Sequence, residues 1–319
     1  MNNISYSIII PHKNIPNLLQ RCLDTIPQRD DTQVIVVDDN SDDNIVDFNN
    51  FPKWAGIHYE YYLTKGNNGA GFARNYGLKY AKGQWIIFAD ADDCFITQNL
   101  SRLLELPEKQ NYDVIIWPTE KLYANGTHEL ISPEWGNIYG GYNYNLLGTY
   151  KIIDCNIKDI LYRLFEPWHK MIRHNHITNN NLTFSEVLYC NDLLFSEKLA
   201  YHTQNIGVFS DVVYQYNKRE DSLSDVNSLY KIKQRLLEFF KVQKFLITIN
   251  KAQYLHKLDW QFEVIMQDSM VSAIYYCLIQ MHIVSFKIGL QSLRKILTIH
   301  NIRIKLALNT RIRSLFFKH

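Results

Sequence analysis

The chain has 319 residues, of which 46% are hydrophobic and 21% charged, and its formal net charge is +2. That length accommodates one large domain or two ordinary ones, and the composition is that of a folded soluble protein with no long disordered tract. Five scattered cysteines, Cys22, Cys94, Cys155, Cys190 and Cys277, contain no CxxC pair. This excludes a disulfide framework and a zinc site, and it suits reduced thiols in the cytosol.

The N-terminal segment MNNISYSIIIPHKN lacks a basic stretch followed by a long apolar run, so no signal peptide is expected. Tyr6–Ile10, Gln33–Val37, Ile57–Leu63 and Gln84–Ala89 read as short strands, and Asp113–Trp117 as a fifth. Runs such as SIII and VIVV predict strands buried on both faces, as in a parallel sheet covered by helices. Leu18, Leu19, Cys22, Leu23 and Ile26 recur at helical spacing and stop at Pro27; a second helix is expected from Gly71 to Ala81. This alternation implies an α/β, doubly wound, mostly parallel sheet, Rossmann-like in class, with its ligand site at the carboxyl ends of the strands. The region 101–225 is mixed and turn-rich, notably around 136–149, and from 226 onward the pattern is mainly helical. The expected organisation is therefore 1–100, 101–225 and a helical extension over 226–319.

The notable motifs fall at strand ends. They are Pro11-His12-Lys13-Asn14, then Asp38-Asp39-Asn40-Ser41-Asp42-Asp43, then Gly66-Asn67-Asn68-Gly69-Ala70-Gly71 leading to Arg74 and Asn75, then Asp90-Ala91-Asp92-Asp93. In extended chain, residues two apart point the same way, so Asp90 and Asp92 can offer oxygens to a hard cation such as Mg²⁺ or Mn²⁺. The glycine turn is ordered G-x-x-G-x-G and follows the third strand, which argues against a dinucleotide fingerprint.

Taken in order, SIIIPHKN, VVDDNSDD, GNNGAGFARNYGL and WIIFADADD resemble the family 2 glycosyltransferases. The resemblance is tight over about the first 100 residues and looser to about 225 through EPWHKMIR, CNDLLF and YQYNKREDSLS. It implies a GT-A fold, a nucleotide-diphospho-sugar donor, UDP-sugar as first choice, a divalent metal, and inversion at the anomeric carbon. By the same resemblance, Pro11 borders the nucleobase, Asp39 hydrogen-bonds it, Asp38 supports that loop, and Arg74 lies beside base and diphosphate. Asp90 sits by ribose and metal, and Asp92 is the direct metal ligand. An Asx-stabilised turn is the competing reading for Asp38 and Asp39.

An inverting transfer needs one general base on the acceptor side. The family places it at the Asp of a Glu-Asp pair opening a helix, which matches Asp192; Asn191 replaces the Glu. The competing reading is that this pair caps the following helix. Trp168 and Lys170 match the family's Trp-x-Lys segment near the acceptor, with a core Trp as the alternative. Tyr214, Tyr216 and Arg219 read as structural, and His12 carries no assigned role.

The expected activity is a hexosyl- or N-acetylhexosaminyl-transferase acting on a glycan or lipid-linked acceptor in cell-surface polysaccharide synthesis. The alternative is a non-catalytic nucleotide-sugar-binding or scaffold protein of a polysaccharide assembly complex. Residues 270–286 carry no formal charge but are too short and polar to span a bilayer, so a buried or interface helix is expected. From Lys287 to His319 there are eight basic and no acidic residues. That tail reads either as a solvated helix face or as a dock for anionic lipid on the cytoplasmic face of the membrane. No nucleic-acid-binding module accompanies it.

Overall fold

The computed structural model describes residues 4–66, 69–130, 152–154, 158–219, 228–254, 261, 265 and 269–299. The chain forms two compact units, 1–225 and 226–319.

The first unit opens with β1 (Tyr6–His12), α1 (Pro16–Asp24), β2 (Thr32–Asp38), β3 (His58–Leu63), α2 (Gly69–Leu78) and β4 (Trp85–Phe88). Each strand and helix lies within a few residues of its expected range. Pro16 occupies the first turn of α1, where its missing N–H costs nothing. Next come β5 (Cys94–Phe95), α3 (Thr97–Glu105), β6 (Val114–Ile116), β7 (Thr119–Leu122), β8 (His128–Leu130) and β9 (Ile152–Asp154). The unit closes with β10 (Lys170–Arg173), α4 (His174–Asn179), α5 (Leu193–His202), β11 (Ile206–Phe209) and β12 (Tyr214–Asn217).

Eight strands form one sheet in the order β3-β2-β1-β4-β10-β6-β11-β9. The first four run parallel, as their continuous apolar sequences require; β10 is antiparallel to both β4 and β6. A second sheet has the order β5-β12-β7-β8. The chain leaves β1 toward β2 and β3 and then returns to β4 on the other side. The order therefore reverses between β1 and β4, where such sheets open a ligand crevice. β1 pairs with β4 only as far as Ile9, so Pro11 lies past the last β4 partner, where a missing donor is tolerated. Ile8, Ile10, Val34, Val36 and Ile87 sit in one core with Leu19, Leu23, Leu100 and Trp117.

The second unit contains α6 (Leu229–Thr248), α7 (Met270–Ile283) and α8 (Phe286–Ile299). Ser228 and Ser269 cap α6 and α7 by accepting hydrogen bonds from Lys231 N–H and Ser272 N–H. Ile232, Leu236, Phe240, Ala273, Cys277 and Ile296 form its core. The uncharged segment 270–286 is thus one helix and the start of another. It is only half buried, because Val271, Tyr275 and Leu278 stand exposed on the face opposite Ala273 and Cys277. Among the described residues, no helix is long and apolar enough to cross a membrane. The turn-rich stretch at 136–149 and most of the basic tail lie outside the described residues.

Candidate active site

The exit of β2 is built around Asp38. Its carboxylate meets His12 Nδ1 at 2.7 Å and accepts both the Ser41 N–H at 2.8 Å and the Ser41 hydroxyl at 2.6 Å. Ile15 N–H donates to His12 Nε2 at 3.2 Å. That bond fixes Nε2 as the acceptor and leaves Nδ1–H to face the carboxylate. Burial alone would raise the Asp38 pKa, but the bonds from His12 and Ser41 outweigh it and hold it below the usual range. Asp39 follows with its N–H on His12 O and a carboxylate oxygen accepting the Gly69 N–H at 2.9 Å. His12, left without a role by the sequence, is therefore the partner that locks this loop.

The glycine turn serves a different purpose from the phosphate loops it resembles. Gly69 has φ +83°, a conformation that L side chains rarely adopt. A Cβ on Gly71 would stand 2.1 Å from Ser185 O and 2.8 Å from Asn191 Cβ. The glycines thus let the segment 185–191 close onto the start of α2. Asn75 clamps that contact from the same helix: its side chain donates to Phe184 O at 3.0 Å and accepts from Phe184 N–H at 2.9 Å.

Arg74, 4% exposed, forks across this junction. One arm donates to Asp90 Oδ1 at 2.6 Å and the other to Asn191 Oδ1 at 2.8 Å, with the guanidinium over the Phe184 ring. Asn191, which replaces the family's Glu, is a neutral acceptor for Arg74. Asp192 sits at the N-cap of α5 yet makes no capping hydrogen bond. Burial raises its pKa, Arg74 and Lys170 oppose the rise, and Asp90 adds to it.

The exit of β4 is the most crowded. Asp90 keeps a side chain 32% exposed while paired with Arg74. Asp92 Oδ2 lies 2.5 Å from Arg219 NH2, which places Arg219 beside the aspartate run. Asp92 is raised first by burial and then by the charge of Asp90. Asp93 is fully buried, accepting the Tyr214 hydroxyl at 2.9 Å and Asn217 N–H at 2.8 Å. The same Tyr214 oxygen accepts Asp90 N–H at 2.9 Å, tying β12 to the aspartate run.

Trp168 and Lys170 lie beneath this surface. Trp168 is 6% exposed and its ring stacks on Tyr214 at 5.2 Å, so that face is not open to a sugar. The Lys170 ammonium is buried and donates to Leu164 O at 2.6 Å; burial lowers its pKa to about 8, against the pull of Glu166, Asp192 and Glu197. The expectation of direct acceptor contact gives way, for both, to a supporting position under Asp192 and Tyr214.

Asp90 and Asp92 supply the oxygen donors a hard divalent cation takes, and their mutual repulsion is what such a cation relieves. Among the described residues no cluster of three or more His, Cys, Asp or Glu is gathered for a metal. Mg²⁺-type sites need only one or two carboxylates when substrate phosphates complete the shell, so the donor set fits.

The chain is similar to several glycosyltransferases. The poly(ribitol-phosphate) beta-N-acetylglucosaminyltransferase TarP of Staphylococcus aureus is 27% identical over 218 residues, 65% of this chain and 61% of that protein. The poly(ribitol-phosphate) beta-glucosyltransferase of Bacillus spizizenii is 25% identical over 221 residues, 67% of this chain and 32% of that one. The chain thus spans less than two thirds of the length of these relatives. The crystal structure of S. aureus TarS 1-349 in complex with UDP-GlcNAc superposes with a TM-score of 0.62 at 19% identity, covering 88% of this chain and 81% of that one, and establishes the GT-A fold. Residues 7–164 match the family model for glycosyl transferase family 2, and through them the chain belongs to that family.

Proposed function

We propose that the protein is a metal-dependent inverting glycosyltransferase that moves a sugar from a nucleotide diphosphate onto a glycan or lipid-linked acceptor of a cell-surface polysaccharide. The observation that carries this reading is the Arg74 fork. One buried guanidinium binds Asp90, on the donor side, and Asn191, next to Asp192. A donor-site carboxylate and the residue preceding the base candidate are thereby held by one cation.

In this reading Pro11 and Asp39 border the nucleobase, preorganised by the Asp38–His12–Ser41 lock. Asp90 lies by the ribose, and Asp92 with Asp90 would hold Mn²⁺ or Mg²⁺. A divalent ion there neutralises the charge of the departing diphosphate. Arg74 supplies a fixed positive charge beside it. Asp192 takes the proton of the acceptor hydroxyl as that oxygen attacks C1 from the face opposite the leaving group. Its raised affinity for a proton suits this task near neutral pH.

UDP-sugars are the first donors to try, with hexosyl and N-acetylhexosaminyl groups. The activities named for these relatives put a poly(ribitol-phosphate) among the acceptors to test. A cytoplasmic location, peripheral on the inner membrane face, is part of the same proposal; exposed Lys287, Arg294 and Lys295 on α8 support it. Co-sedimentation with anionic vesicles tests it.

The test of the reaction is a panel of UDP-, GDP-, CMP- and dTDP-sugars, with and without Mn²⁺, scored for binding and donor hydrolysis. Metal-dependent binding of one nucleotide-sugar, lost in Asp92→Ala, is the expected result. Absence of binding across the panel would leave the non-catalytic scaffold reading in its place.

A further inference from the structure

Arg219 occupies a position the proposed chemistry does not use. Its NH2 lies 2.5 Å from Asp92 Oδ2, on the carboxylate that the donor reading gives to a metal ion. The contact is built into the fold. β12 ends at Asn217, whose N–H donates to Asp93 Oδ1 at 2.8 Å and whose side chain donates to Asp92 O at 3.2 Å. Lys218 N–H adds a bond to Leu122 O at 2.9 Å. The backbone just before Arg219 is thus anchored to the aspartate run on one side and to β7 on the other. Both partners are partly shielded, with side chains 34% and 21% exposed. Among the described residues, Nε of Arg219 has no hydrogen-bond partner, so the guanidinium is held through its Asp92 arm.

We propose that Arg219 is a latch that stands in for the metal ion at Asp92 and is displaced when the metal–nucleotide complex arrives. A guanidinium and a divalent cation repel, and even a metal on the other oxygen of the same carboxylate would face the Arg219 charge at short range. Binding of metal at Asp92 therefore favours a displaced Arg219. A planar guanidinium freed beside a diphosphate has a ready bidentate partner in its oxygens. The consequence is coupling. Free metal must break the Arg219–Asp92 pair without compensation, whereas metal delivered with a nucleoside diphosphate gives the displaced arginine a new partner. The latch biases the site toward the metal–nucleotide complex and against bare metal. This rests on the donor-site reading above, and it concerns a residue that reading leaves idle.

The test is Mn²⁺ binding to the full chain by electron paramagnetic resonance, without nucleotide and with saturating UDP. Wild type is compared with Arg219→Ala and with Arg219→Gln, which keeps much of the side-chain volume should the alanine variant fold poorly. Without nucleotide, both variants are expected to bind Mn²⁺ about tenfold more tightly than wild type, a coupling of ordinary size. With UDP present, that advantage disappears or reverses. Equal or weaker Mn²⁺ binding by both variants in the absence of UDP overturns the latch while leaving the donor site intact. Failure of the wild-type protein to bind either Mn²⁺ or UDP overturns the donor site and the latch together.

Discussion

Both β2 and β4 run out into consecutive aspartates, and the two exits solve the problem of crowded negative charge in opposite ways. At the β2 exit, Asp38 is surrounded by donors, and His12 and Ser41 hold its pKa down despite burial. At the β4 exit, Asp92 and Asp93 are pushed up, first by burial and then by neighbouring carboxylates. The first exit is a completed anion, rigid and ready to shape a loop. The second is an anionic cluster short of compensation, leaning on Arg74 and Arg219. The same residue type thus plays different parts according to its donors, and only the second exit gains from an added cation.

The largest effect expected from breaking this contrast is at Asp92. Asp92→Ala removes the proposed metal donor, and kcat/KM is expected to fall by about 10²-fold or more, with Mn²⁺ dependence lost. Asp38→Asn attacks the completed anion instead. It sets amide N–H groups against the Ser41 or His12 donors and should lower stability by roughly 2–3 kcal/mol in urea unfolding. The sign with pH follows from the lowered folded pKa of Asp38. Its contribution is present above the ordinary carboxylate pKa of about 4 and is lost as pH falls through the lower folded value. The gap between wild type and Asp38→Asn is therefore full at neutral pH and narrows in acid.

Gly71→Ala tests the junction that joins the two halves of the site. With Ser185 O only 2.1 Å from the new Cβ, the segment 185–191 must retreat. A loss of about 1–3 kcal/mol is expected, along with a loosened Arg74 fork. The smallest effect is expected at Asp93. Asn sets an amide N–H against the Tyr214 or Asn217 donor here too, but it also removes a charge that burial and the neighbouring carboxylates penalise, so Asp93→Asn is expected to cost less than Asp38→Asn, about 1 kcal/mol at neutral pH. A large loss there would erase the contrast between the two exits.

Much of residues 1–100 was legible because the signals there are long. Four apolar runs, each bounded by a motif, give strand, direction and rim together, and Asp38, Asp39, Arg74, Asp90 and Asp92 were all named from them. The region 101–225 was not, because its elements are short. β5 has two residues and β10 four, too few for any periodicity to show. That left the antiparallel insertion of β10 and the second sheet unseen. His12 was missed because a lone histidine carries no signal until its two nitrogens find partners 3 and 26 residues away in sequence. Trp168 matched a motif, and only the stacking of Tyr214 shows that its ring is covered. Arg219 lies in the loosely matching stretch YQYNKREDSLS, and its partner Asp92, far away in sequence, is seen only in the fold.

The most direct test of the central claim is to separate binding from turnover at Asp192. This carboxylate sits at a helix start without capping it, so its loss should not unravel α5. With a donor identified, Asp192→Asn is measured for nucleotide-sugar affinity by calorimetry and for transfer rate across pH. The account predicts affinity close to wild type and a transfer rate lower by about 10²–10⁴-fold, the usual contribution of a general base. It also predicts that the wild-type rate falls on the acid side at a pH above the ordinary carboxylate range, as the raised Asp192 pKa requires. A variant that transfers sugar at the wild-type rate, or that loses donor binding in step with turnover, would contradict the assignment.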